Sequence, residues 1–230
     1  MKALFLASLL MAADAFAKDG KHLFILAGQS NMYYVNPKES FTPAVEAKFG
    51  KEHIIVVKNA RVSRPIRHWD ESWRPTEGQD PETIGDQYAH LLRVTKRAIA
   101  GQKLKSVTLL WMQGESDAQQ GLGEFYAASF KRVLVQLKQD LGIATLNFVI
   151  ARISDFDLSN AKFPHWTKLR EVQMALADED ENGAWFDTDD LNDGLTRRGK
   201  EISNGLHYSA KGYKTLGARF AKQAIALLER

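Results

Sequence analysis

Three short segments carry side chains suited to nucleophilic and proton-transfer chemistry. The first is Gly28-Gln29-Ser30-Asn31-Met32, where a glycine permits a tight exit from a strand and a serine follows at a helix start. Backbone N–H groups are unpaired there, so the hydroxyl can act as a nucleophile beside ready-made anion donors, or equally serve as a helix N-cap. The second is Trp111-Met112-Gln113-Gly114-Glu115-Ser116-Asp117, an amide and two carboxylates in one loop, with Ser116 or Asp117 as alternative caps. The third is Asn204-Gly205-Leu206-His207-Tyr208-Ser209. Histidine is the side chain best matched to proton transfer near neutral pH, although a single surface histidine is also ordinary.

The elements that must hold these segments read as a repeated β-α pattern. Continuous apolar runs at His22 to Ala27, His53 to Lys58, Ser106 to Met112, Thr145 to Ile153 and Ala184 to Asp187 predict strands of a parallel sheet covered on both faces. Helical stripes lie between them. Ile84, Tyr88, Leu91, Leu92 and Ile99 form one, and Tyr126, Phe130, Val133, Leu134, Leu137 and Leu141 another. A third helix is expected over Trp166 to Ala177, and a last one after Ser209 as its cap. This alternation predicts a doubly wound α/β domain, with ligands beyond the carboxyl ends of the strands, where all three segments fall. Tyr33 to Gly50 and Asn59 to Pro81 break the pattern. They hold five of the six prolines and read as long functional loops.

Composition narrows the function. The 230 residues suit one domain, and the net charge of +3 is scattered rather than clustered, which argues against nucleic acid as a partner. There is no cysteine, so disulfides and thiolate chemistry are excluded. The six histidines show no H-E-x-x-H or paired spacing, and no Gly-rich nucleotide signature occurs, so neither a metal nor another cofactor is expected. Residues 1–17 read as a signal peptide. Lys2 precedes an apolar stretch too short to cross a bilayer, and Ala15-Phe16-Ala17 forms a small-x-small cleavage site before Lys18. A secreted or periplasmic protein without a membrane span is expected.

Taken together, GQSNM, W-x-QGESD and the NGLH segment running into Gly212-Tyr213 and Leu216-Gly217 resemble the SGNH hydrolases. The resemblance is to the sialate O-acetylesterase-like group and carbohydrate esterase family 6, and extends from about residue 21 to 230. It implies a flavodoxin-like three-layer fold with a central parallel sheet of about five strands, and hydrolysis of acetyl esters on an O-acetylated carbohydrate. By position it implies Ser30 as nucleophile and His207 as base. It implies an oxyanion hole from the N–H groups of Ser30 and Gly85 and the amide of Gln113. Thr83 and Asp86 form a T-x-x-D arrangement that would leave the Gly85 N–H free in a first helical turn. The family usually has aspartate three residues before the histidine; here it is Asn204. Asn204 itself, or an upstream carboxylate, Asp187 first, is then expected to orient His207. Tyr33, Arg67 and Trp69 are expected to contact sugar. Asn204 also leaves open a non-catalytic carbohydrate-binding protein derived from an esterase.

Overall fold

The five apolar runs become the strands of one parallel sheet. The computed structural model describes residues 20–74 and 83–230, so the expected leader lies outside the described residues. The strands are β1 (Lys21–Gly28), β2 (Ile54–Ala60), β3 (Leu104–Met112), β4 (Asn147–Ala151) and β5 (Gly183–Phe186), in the spatial order β2-β1-β3-β4-β5. This is the flavodoxin-like order, whose switch point lies between β1 and β3. Here Gly28 is level with Ala60 on one side and Met112 on the other. The segments following these three residues therefore emerge side by side at one edge of the sheet. Gly28 cannot be replaced cheaply: its φ is 148° and an added Cβ would lie 1.9 Å from the Met112 carbonyl oxygen.

Helices cover both faces. α3 (Asp86–Ile99), α5 (Gly123–Leu141) and α6 (Trp166–Asp178) pack in succession on one. α2 (Phe41–Phe49) and α7 (Ala210–Leu228) pack together on the other, as right-handed crossovers require. Two short helices sit at the switch point, α1 (Ser30–Tyr34) and α4 (Glu115–Gln119). A small antiparallel pair, β6 (Gly194–Leu195) and β7 (Glu201–Ile202), precedes α7. Among the described residues no helix is long and apolar enough to cross a membrane.

Two local expectations need correction. The stretch from Tyr33 to Gly50 is not one long loop, because α2 occupies Phe41–Phe49. Its Phe41 and Val45 are buried at i, i+4 spacing, a stripe too short to stand out around Pro43. The T-x-x-D arrangement does not cap α3. Gly85 is the N-cap with φ 70°, no side chain caps the helix, and the Asp86 carboxylate instead meets His68 and Gln87. Ser209 does cap α7, accepting from the Gly212 N–H at 3.0 Å.

Candidate functional site

The exit of β1 turns at Gln29 and starts α1 at Ser30. Gln29 is the N-cap residue, and no side chain caps this helix. Ser30 is therefore the first helical residue with its hydroxyl uncommitted to a capping bond, which removes the capping alternative. Ser30 and His207 line one cleft of about 420 Å³, together with Tyr34, Ser63, Glu115 and Phe163. The cleft lies at the switch point, as the topology requires. The His207 ring stands edge-on to Tyr34, with centroids 5.5 Å apart. Packing around the imidazole lowers its pKa from the ordinary 6.5, so the neutral ring that can accept a proton prevails at neutral pH.

Asn31 ties the three sequence segments together. Its Nδ2 donates to Glu115 Oε1 at 2.7 Å and to the Leu206 carbonyl at 3.1 Å, and its Oδ1 accepts from the Tyr213 hydroxyl at 3.0 Å. The residue is almost fully buried, and its bonds fix the Ser30 turn, the α4 start and the His207 loop relative to one another. Sequence reasoning gave Asn31 no role, although its place inside GQSNM was the available signal.

Glu115 and Asp117 differ in what they do. Asp117 accepts from the Ile66 N–H at 3.0 and 3.1 Å and from the Gln113 amide, so it anchors the loop after β2. Glu115 Oε1 is taken by Asn31, while Oε2 is buried without a partner. Burial pushes both carboxyls up to about 7. Among the described residues Glu115 is the only carboxylate lining the cleft.

Other residues singled out from the sequence are placed elsewhere. The Gly85 N–H donates to the Arg67 carbonyl at 2.9 Å, so it is not free for an oxyanion. Gln113 is fully buried, and its Nε2 donates to Gln29 Oε1, the Arg64 carbonyl and Asp117 Oδ2. The amide thus braces the floor beneath the cleft rather than facing into it. Asn204 sits in the left-handed region at φ 45° and is bonded to Asn192, Asp193 and Phe156. Asp187 is paired with Arg152. Neither hydrogen-bonds to His207. Arg67 donates to Gln120 at 2.8 Å and lies outside the cleft lining. Tyr33 is 51% exposed and lines a neighbouring pocket.

Trp69 is fully buried, edge-on to Trp111 at 5.2 Å, and is core rather than sugar contact. Its loop carries aromatics because it must pack itself down. Trp69→Ala is expected to cost about 3–5 kcal/mol of stability, read by chemical denaturation, while the KM of the folded fraction stays put. A raised KM at unchanged stability would return Trp69 to the substrate.

Residues 33–226 match the family model described as carbohydrate esterase, sialic acid-specific acetylesterase. The chain belongs to this carbohydrate esterase family. No curated protein matches it by sequence. Among solved structures, a protein from Arabidopsis thaliana shares 18% identity over 90% of this chain and 98% of its own, with a TM-score of 0.66. NanS shares 13% identity over 92% of this chain and 99% of its own, with a TM-score of 0.64. A carbohydrate acetylesterase from Xanthomonas citri shares 16% identity over 89% of this chain, with a TM-score of 0.63. This chain spans 56% of that protein's length. At these identities the structures report a shared fold, and the family match carries the enzyme class.

The protein is thus a carboxylic ester hydrolase, a carbohydrate esterase with an SGNH-type fold. Within the esterase, the family match begins just after Ser30 and ends inside α7, so it includes the Glu115 and His207 segments. The Ser30 turn lies immediately before the matched residues and is joined to them through Asn31.

Proposed function

We propose that the esterase removes acetyl groups from O-acetylated carbohydrate by a Ser30–His207 mechanism with an acyl-enzyme intermediate. The observation that carries it is the shared cleft, where an uncapped serine at a helix start and a neutral histidine line one concave surface at the switch point. His207 takes the Ser30 proton as Oγ attacks the acetyl carbonyl carbon. The resulting tetrahedral carbon collapses as the imidazolium protonates the departing sugar oxygen. Water, deprotonated by His207, then attacks acetyl-Ser30; acetate leaves, and the proton returns to Oγ.

Two features replace the expected partners. The oxyanion is held by the Ser30 N–H and by the loop after β2. There Ser63 lines the cleft at φ 53°, a strained conformation for a non-glycine residue, and its N–H has no acceptor among the described residues. Glu115, the one carboxylate among the described residues that lines the cleft, is assigned the charge that steadies imidazolium, in place of Asn204 or Asp187. A phosphonate ester directed at activated serines is expected to label Ser30 alone, read by peptide mass spectrometry, and to abolish acetate release in step with labelling. An active enzyme left unlabelled, or labelled at another serine, overturns the assignment.

A further inference from the structure

The cleft is not the only concavity at this edge of the sheet. A pocket of about 550 Å³ lies next to it, within the size range of small-molecule sites. Their linings have no residue in common but adjoin along the chain. Tyr34 lines the cleft and Tyr33 the pocket; Val62 and Ser63 line the cleft, and Asn59 to Arg61 the pocket. A ligand in the cleft therefore has a neighbouring compartment one residue away on two separate segments.

The floor of this pocket is a preorganised polar network. Asn59 is buried, donates to the Gln87 carbonyl at 2.9 Å and holds His90 Nδ1 at 2.8 Å. The amide oxygen faces Nδ1, so that nitrogen carries the proton and Nε2 remains an acceptor for a hydroxyl. Both oxygens of Asp86 are engaged, one by His68 and one by Gln87. These bonds keep the Asp86 carboxylate ionised, and it is the one negative charge in the pocket lining among the described residues, outnumbered there by Arg61 and Arg93. The wall is the Tyr33 ring, half exposed, with its backbone fixed because Lys58 Nζ donates to the Tyr33 carbonyl at 2.7 Å. At the rim stand Arg61 and Arg93, both exposed and neither paired with a carboxylate among the described residues.

An aromatic face, a fixed hydroxyl-directed imidazole and two guanidinium forks unpaired among the described residues form the recognition set of a pyranose bearing a carboxylate. We propose that this pocket is a second sugar subsite, which takes an acidic, uronate-type residue next to the acetylated sugar held in the cleft. The inference rests on the esterase reading above and deepens it, since the substrate is then an acidic oligosaccharide or polysaccharide rather than a free monosaccharide.

Two measurements test it. The first is calorimetric binding of an unacetylated oligogalacturonide, which needs no catalysis. Binding to the wild-type protein is expected, and to weaken roughly 10- to 100-fold in Arg61→Ala/Arg93→Ala, as loss of charge-assisted hydrogen bonds implies. The second is the ratio of kcat/KM on O-acetylated acidic oligosaccharide to that on O-acetylated xylo-oligosaccharide. That ratio is expected to fall at least tenfold in the double variant, and also in wild type at high salt. Oligogalacturonide that does not bind wild type, or a double variant that loses both substrates by the same factor, overturns the subsite. Failure to hydrolyse p-nitrophenyl acetate would instead strike the esterase mechanism and leave the binding result standing.

Discussion

Ser30→Ala is expected to lower kcat/KM for acetyl esters by roughly 10⁴–10⁶-fold, with little change in fold or stability. The change removes one oxygen that caps no N–H. The helix start, the Asn31 bonds and the wall of the cleft all stay. His207→Ala is expected to cost about as much, and the double variant little more, because nucleophile and base act as a unit and their losses do not add. Residual activity is expected from the backbone donors alone. Acetate release by the three variants, measured beside circular dichroism, checks this. A Ser30→Ala enzyme within tenfold of wild type would make the chain an esterase by another route. A protein with no activity in any form that still binds sugar would be the carbohydrate-binding alternative that Asn204 kept open.

Glu115→Gln is expected to act on activity and stability in opposite directions. If Glu115 steadies imidazolium, the neutral amide lowers kcat by about 10²–10⁴-fold, because the charge formed in the transition state loses its counter-charge. Stability moves the other way. The Glu115 carboxyl is raised in the folded protein from the ordinary 4.5 to about 7. A raised carboxyl contributes stability that is fully present below its unfolded pKa and is lost as pH rises through the folded value. The cost of ionising it where it is buried therefore builds up between about pH 4.5 and 7, and corresponds to about 3 kcal/mol at pH 8. Glutamine removes that cost and still offers an amide oxygen to Asn31. The variant is expected to melt roughly 6–12 °C above wild type at pH 8, and within a degree or two of it at pH 4. Calorimetry at the two pH values, with initial rates, checks both halves. Full activity would take Glu115 out of the stabilisation of imidazolium; equal melting temperatures at pH 8 would show the carboxylate is not charged at a cost.

The fold was legible because its strands are continuous apolar runs, and each lies within two or three residues of its expected bounds. Helix α2 was hidden because only Phe41 and Val45 mark its buried side. Within the site, motif position located Ser30 and His207, which line one cleft, but gave Glu115 no part in it and could not say what each polar group bonds to. Gly85 and Gln113 are the clear cases. Their donors are aimed at Arg67, Gln29, Arg64 and Asp117, contacts between segments far apart in sequence. The Trp69 loop misled for a related reason: an aromatic in a long loop reads the same whether it faces a ligand or the core.

The bond from Asn31 to the Leu206 carbonyl joins positions 175 apart. It has a temporal meaning as well as a spatial one. The serine turn is synthesised well before the histidine loop and the helix behind it, so on the mechanism proposed above Ser30 and His207 cannot meet until that later segment has been made and docked. A nascent or clipped chain lacking α7 would leave one face of the sheet bare as well as leaving the serine without its proposed base. On that mechanism, turnover of an acetyl ester reports that the histidine segment has docked against the serine turn.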